Sequence, residues 1–316
     1  MTHLDIRDLA LQAGFDALFA APLSRLARWQ EASRDVPQAR GLFYDLPHRY
    51  PRMRCALILI KGYKPYRARP GLVTLSAYYP ASQTAYAKAR EVEEILKEKG
   101  HLALCHPPVP AKPLLVLSGK GFYGGNGLAF LEGFGSRFAI QIILTDLPLH
   151  QNIASEESLP TSCRGCGICR DACPVGALQE DGVNVARCLR ALPENRPVPE
   201  GLRPLVGNSL LGCDLCQDCC PINHQAGKVD MPEELSRALD LPALLSGSVI
   251  PLIPWLGKNY VRKKRLQARA CLIAGNLMRR DCLEQLLELA KDEHPVVREH
   301  AAWAIGRILS PTSAPG

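Results

Sequence analysis

Residues 162–178 read SCRGCGICRDACPVGAL, with cysteines at 163, 166, 169 and 173 and a proline directly after the last. This is the C-x2-C-x2-C-x3-C-P run of a bacterial-type ferredoxin, in which the fourth cysteine serves the other cluster of a pair. Zinc sites also use C-x-x-C pairs, but two such pairs complete them, and a third cysteine two residues further on has no use there. A second run, CDLCQDCCP at 213–221, is not a copy of the first. Cys213 and Cys216 form a pair and Cys220-Pro221 closes the run, so one ligand is missing from the ferredoxin pattern. The adjacent Cys219 is a poor substitute, because neighbouring residues of an extended loop point in different directions. Cys188, in NVARCLRAL, lies between the two runs and supplies the missing thiolate. The expected ligand sets are therefore Cys163, Cys166, Cys169 and Cys220 for one 4Fe-4S cluster, and Cys173, Cys188, Cys213 and Cys216 for the other.

Composition agrees with metal rather than disulfide chemistry. Thirteen cysteines in a small exported chain would suggest a disulfide scaffold, but this chain has 316 residues. Its start, MTHLDIRDLALQAGFDALFAA, carries acidic residues where a secretory signal would be basic, so a cytoplasmic location is expected. The most apolar stretch, CALILI, stops at Lys61, well short of the roughly 18 residues of a membrane span. A net charge of +7 permits an acidic partner such as nucleic acid.

Outward from the cysteines, three segments are expected: a mixed α/β domain over 1–154, a two-cluster ferredoxin-like domain over 155–228, and a helical domain over 229–316. In the first, RCALILI (54–60), PLLVLS (113–118) and RFAIQIILT (137–145) have the length and apolar content of strands. AYAKAREVEEILKEK (85–99) places Ala89, Val92, Ile95 and Leu96 on one face and predicts a helix ended by Gly100. The glycine-rich GKGFYGGNGLAFLEGFGS (119–136) either lets backbone approach a flat ligand or is a set of tight turns. In the last segment, 266–277, 282–290 and a helix starting at Pro295 are apolar at helical spacing, as in paired solenoid repeats. Cys55, Cys271 and Cys282 sit among apolar residues and read as small core residues. The run VRKKRLQAR puts Arg262, Lys263, Lys264, Arg265 and Arg269 within about two helical turns, either as a phosphate-binding stripe or as a solvated helix start.

The order of motifs over 113–309 resembles the epoxyqueuosine reductase family and, more broadly, its reductive dehalogenase relatives. The residues that carry the likeness are GFGSRFAIQIILTDLPL, SCRGCGICRDACPVGAL, ARCLRAL, VGNSLLGCDLCQDCCPIN, ACLIAGNL and HPVVREHAAWAIGRI. The resemblance implies an oxidoreductase that reduces the epoxide of a modified nucleoside in tRNA, giving queuosine. It implies cobalamin in the N-terminal domain, reduced through the clusters, with Asn126 and Ser136 as cofactor contacts. It also implies an external one-electron donor such as flavodoxin or ferredoxin, and a HEAT-like C-terminal domain that grips tRNA. Where the family carries a proton-donating aspartate before the glycine-rich loop, this chain has Cys105, and no carboxylate occurs between Lys99 and Glu132. The family's Asp-Tyr-His segment is replaced by YYPASQTAY, and a loop lysine by Gly125. Cys105 and His106 are therefore the candidate catalytic pair, as proton donor or cobalt ligand; the alternative is a strand-end cysteine beside a surface histidine. A non-catalytic two-cluster electron carrier is the alternative function.

Overall fold

The computed structural model describes residues 3–26, 49–148, 163, 165–193 and 195–310. Ser162 and Arg164 of the first cysteine run, and the start of the expected second segment, lie outside the described residues. The chain divides into two compact units: one comprises 1–63, 81–167 and 221–226, the other 64–80, 168–220 and 227–316. No helix among the described residues is long and apolar enough to cross a membrane.

The first unit is built on an antiparallel sheet with strand order β1-β2-β6-β3. Its strands are β1 (Ala17–Pro22), β2 (Cys55–Gly62), β3 (Ala103–Cys105) and β6 (Phe138–Thr145). CALILI is buried at every residue, as its unbroken apolar run requires of a strand covered on both faces. Ala56, Ile58 and Ile60 of β2 join Ile142 and Leu144 of β6, and Leu114 and Leu115, in one core. α1 (His3–Gln12) leads into β1, and α2 (Tyr78–Glu98) buries Ala85, Ala89, Val92 and Leu96 in a single row. α2 ends ahead of Gly100, whose φ of +83° only glycine adopts without strain. Its first turn begins at Tyr78 rather than Ala85, because Pro80 falls where a helix has no use for its N–H.

PLLVLS is not a strand. Residues Ala111–Leu117 form helix α3, followed by Ser118, whose Oγ donates to the Leu115 carbonyl at 2.6 Å, and by Gly119 at φ +72°. A short apolar run fits a buried helix turn as well as a strand, and Pro113, tolerated in a first helical turn, costs a sheet one ladder hydrogen bond. The glycine-rich segment is a hairpin of β4 (Gly121–Tyr123) and β5 (Ala129–Leu131). The set of turns is thus the form this segment takes.

The second unit contains a two-residue hairpin of β7 (Leu178–Gln179) and β8 (Gly182–Val183) and two single turns, α4 (Ile168–Asp171) and α5 (Leu215–Asp218). Helices α6 (Glu233–Ala238), α7 (Leu241–Ser246) and α8 (Ile253–Leu256) follow. The long pairs are α9 (Lys263–Asn276), α10 (Leu283–Leu289) and α11 (Pro295–Leu309), close to their expected bounds. α9 and α11 approach so closely at Gly275 that a Cβ there would lie 2.9 Å from Ala304 Cα. Cys271 and Cys282 are wholly buried in this core, and Cys55 in the first unit is 1% exposed.

His300 ties this helical stack to the segment that follows the cysteine loops. Its Nε2 accepts the Val198 N–H at 2.9 Å, so Nδ1 carries the proton and donates to the Ala268 carbonyl at 3.0 Å. Arg203 donates Nε to the Val198 carbonyl at 2.8 Å and pairs with Glu299, and Asn276 caps the Arg203 and Gly207 carbonyls. Burial, aided by Arg203 and Arg269, pushes the His300 pKa down to about 4. A histidine lowered in the folded state stabilises fully above its unfolded value near 6.5 and loses that contribution as pH falls towards 4. Between pH 7 and about 4.5 the loss in urea-unfolding free energy should be about 2.5 kcal/mol greater for the native chain than for His300→Leu. Equal losses would contradict this account of His300.

Candidate iron-sulfur centre and adjoining cavity

Cys173, Cys188, Cys213 and Cys216 come from three separate loops of the second unit, and the fold brings them together. Cys173, Cys188 and Cys213 pack on a small apolar cluster of Val175, Ala177 and Leu189. Such a core is too small to hold these loops by itself, so the metal supplies the cohesion. Cys216 lies on α5, whose turn is closed by the Gln217 N–H on the Asp214 carbonyl at 2.8 Å. Burial raises the Cys216 thiol to about 12, helped by Cys213, Cys188, Asp214 and Cys169; Cys213 is raised by burial and then by Asp214, Cys188 and Cys173. These sulfurs lie close enough to feel one another, as the donors of one cluster must. No group of His, Cys, Asp and Glu among the described residues is drawn tightly enough for a single metal ion. A zinc site would draw sulfurs to about 2.3 Å from one centre. The donor set, all sulfur and spread around a core, fits a 4Fe-4S cluster.

Several sulfurs accept backbone donors. Cys173 Sγ accepts the Ala177 N–H at 3.3 Å, and in the first unit Cys163 Sγ accepts the Gly125 N–H at 3.4 Å. Gly165 and Gly167, at φ +71° and +67°, turn the chain around Cys166. Cys219, beside the closing Cys220, has its thiol 3.8 Å from the Ile168 carbonyl.

A cavity of about 510 Å3 opens beside the cluster loops, with Cys213 and Asp214 in its wall. Its size lies in the ordinary range for ligand sites, about 300–1,000 Å3. The opposite wall is the segment 65–77, held by parallel bridges Tyr66 to Val229 and Thr74 to Ser209. Asn208 Nδ2 donates to the Leu72 carbonyl at 2.6 Å, and Arg69 donates to Ser236 Oγ at 2.6 Å and to Met231 Sδ at 3.3 Å. Gly212 at φ +94° permits the closest approach, since a Cβ there would lie 2.6 Å from Ser76 Cβ. Arg67, Arg69, Lys228 and Arg269 supply positive charge, and Leu189, Leu205 and Leu215 supply apolar surface. Sequence reasoning missed this wall: its only local signals are Pro70-Gly71 and the alternating Arg67 and Arg69.

In the first unit Cys105 ends β3 and its thiol is pushed up to about 12, by burial first and Glu93 second, so it is a protonated thiol at neutral pH. His106 is half-buried rather than at the surface, with its ring stacked on Tyr86 at 3.8 Å. Its φ of +52° is unusual for a side-chain-bearing residue, and its Nε2 is buried without a hydrogen-bond partner among the described residues. Burial lowers its pKa, against the opposing influence of Gln141 and Tyr86. Asn126 Oδ1 accepts the Leu128 N–H at 3.1 Å inside the hairpin turn. Ser136 exchanges two hydrogen bonds with Asn223, at 2.8 Å and 3.0 Å.

The five basic residues of VRKKRLQAR do not share one environment. Arg262 and Lys263 are exposed, Lys264 pairs with Asp292, Arg265 lies 5.4 Å over the Tyr260 ring and Arg269 faces the cavity.

Residues 162–223 match the family of 4Fe-4S double cluster binding domains, and 253–316 match HEAT repeats. The chain is 32% identical to the epoxyqueuosine reductase of Bacillus subtilis (strain 168) over 207 residues, covering 62% of this chain and 53% of that protein. It is 30% identical to the epoxyqueuosine reductase of Escherichia coli (strain K12) over 221 residues, covering 66% and 56%. The chain is thus similar to epoxyqueuosine reductases over about two thirds of its own length. The fold agrees with a crystal structure of epoxyqueuosine reductase with a modified tRNA-Tyr stem loop, at a TM-score of 0.77 and 23% identity, covering 98% of this chain and 90% of that one. The Bacillus subtilis enzyme with its catalytic loop swung out gives 0.75 at 23% identity, covering 98% and 90%. The chain spans about half the length of the curated relatives it matches first.

If Cys188 completes the second set and Cys219 is surplus, Cys219→Ser keeps about eight iron per chain after anaerobic reconstitution, while Cys188→Ser falls to about four. Iron loss in Cys219→Ser with full retention in Cys188→Ser would reverse the assignment.

Proposed function

We propose that this chain is a cytoplasmic iron-sulfur and cobalamin-dependent reductase that converts epoxyqueuosine to queuosine in tRNA or acts on a related substrate. The observation that carries the reading is Cys213, which stands in both the proposed cluster ligand set and the wall of a cavity of ligand size. In this reading residues 1–154 form the reductase-like domain, 155–228 carry the two clusters and 229–316 form the HEAT-like domain. The first cluster takes Cys163, Cys166, Cys169 and Cys220, the second Cys173, Cys188, Cys213 and Cys216. A flavodoxin or ferredoxin delivers electrons singly.

The cavity's residues suit a corrinoid. Arg67, Arg69 and Lys228 match the phosphate of its nucleotide tail, Leu189 and Leu205 offer apolar surface to a flat ring, and Cys213 puts a cluster ligand against it. Bound there, cobalamin would supply the low-valent metal that an epoxide reduction needs. The sequence resemblance places the cofactor in the N-terminal domain, and the segment 65–77 of that domain forms one wall of the cavity. Asn126 and Ser136 act in this proposal through the hairpin and the Asn223 contact, as supports of the cofactor region.

Opening an epoxide develops alkoxide charge that an acid must quench. Cys105 holds its proton at neutral pH, and a thiol near 12 still donates to an alkoxide, the far stronger base. His106, neutral because burial lowers its pKa, is suited to orienting rather than to standing as a charged acid or as a salt-bridge partner. A protonated Cys105 is also a poor metal ligand, since thiolate is the ligating form. Proton donation is therefore the role proposed for Cys105. Arg262 and Lys263, free to face solvent, are the members of the basic run suited to tRNA phosphates.

With anaerobically reconstituted protein and an epoxyqueuosine-modified stem loop, the epoxide should be consumed and queuosine formed. The Cys105→Ala, His106→Ala double variant should lose on the order of 100-fold in rate, and the native rate should stay flat from pH 7 to about 9 because the donor remains protonated. A rate already falling as pH rises towards 6.5 would implicate His106 instead. Full retention of activity in the double variant would sink the role of both. Glutamate at 262 and 263 should weaken stem-loop affinity and reduce its salt slope by about two. A native chain with full iron and no cobalt that leaves the stem loop untouched would leave the electron-carrier reading.

A further inference from the structure

The backbone donors to the cysteine sulfurs are of two kinds. Ala177 to Cys173 and Leu215 to Cys213 arise inside the ligand's own loop, as a by-product of the turn that presents the cysteine. Gly125 to Cys163 is different, because the donor lies 38 residues upstream in another structural element. That donor is also built to stay in place. The Gly124 N–H donates to the Leu128 carbonyl at 2.9 Å, the Gly127 N–H to the Gly124 carbonyl at 2.9 Å, and the Leu128 N–H to Asn126 Oδ1 at 3.1 Å. Lys112 Nζ reaches the Gly127 carbonyl at 3.1 Å. Phe130 packs so tightly beneath Gly124 that a Cβ there would fall 2.3 Å from its ring. A turn with this many internal restraints holds the Gly125 amide at a fixed distance from the sulfur rather than letting it drift to water.

We propose that the 124–128 turn sets the reduction potential of the cluster held by Cys163, with the Gly125 amide as the donor and Asn126 as the residue that positions it. A hydrogen bond to a ligand sulfur favours the more negative, reduced cluster and so raises its potential. The glycine-rich segment then has a use that depends on its backbone, which explains why Gly125 needs no side chain for it. The inference rests on the assignment of Cys163 as a cluster ligand, which iron content tests separately.

The experiment is a redox titration of the anaerobically reconstituted full chain, followed by electron paramagnetic resonance of the reduced clusters. Gly125→Pro removes the N–H and should lower the midpoint of one cluster while leaving the other in place. Gly125→Ala keeps the N–H and should leave both midpoints where they are in the native chain. Unchanged midpoints in Gly125→Pro at full iron content would overturn the proposal, as would an equal shift in Gly125→Ala. If Gly125→Pro does not take up its iron, Asn126→Ala, which loosens the turn, becomes the deciding variant. A shift in the same direction there supports the proposal and no shift overturns it. A native chain that binds no iron would overturn the ligand assignment and the proposal with it.

Discussion

Four thiolates cannot stand near one another in a half-buried loop region unless something cationic lies between them. Cys173, Cys188 and Cys213 pack on a small apolar cluster of Val175, Ala177 and Leu189, and Cys216 lies near Cys213 and Cys188. The rest of the second unit follows from this constraint. The small apolar core beside the cysteines leaves their geometry dependent on the cluster, and the helical stack holds the following segment through His300, Arg203 and Asn276. Cys213 extends the dependence further, since the loop that presents it to the cluster also forms a wall of the cavity.

The parts of this arrangement that sequence can reveal are those whose signal is local. β2 and β6 are continuous apolar runs, α9 to α11 carry helical spacing, and the ferredoxin run is legible from spacing alone. PLLVLS misleads because a short apolar run fits either a strand or a helix turn; its packing with Ile58 and Ile142 in the sheet core settles the matter. The cavity is illegible for a different reason. Its walls come from 65–77, 205–215 and 228–231, segments that meet through backbone bridges, side-chain hydrogen bonds and the close approach at Gly212. Nothing in any one of them announces a site. The stacking of His106 on Tyr86 was hidden in the same way, by a contact between a helix and the end of a strand.

In the proposed reaction Cys105 is the group at the proton-donating position. An aspartate in a buried setting must be held protonated against its own acidity, whereas Cys105 is protonated because burial and Glu93 oppose the thiolate. In the proposed role the thiol keeps a proton available at neutral pH.

The central claim is that the cavity beside Cys213 holds a corrinoid fed by the clusters. Its most direct test is metal analysis of the chain after anaerobic reconstitution with iron, sulfide and cobalamin, alongside Arg67→Glu, Arg69→Glu. The account predicts about eight iron and about one cobalt per native chain, with cobalt but not iron lost from the variant. Eight iron with no cobalt in the native chain, or cobalt retained unchanged in the variant, would contradict it.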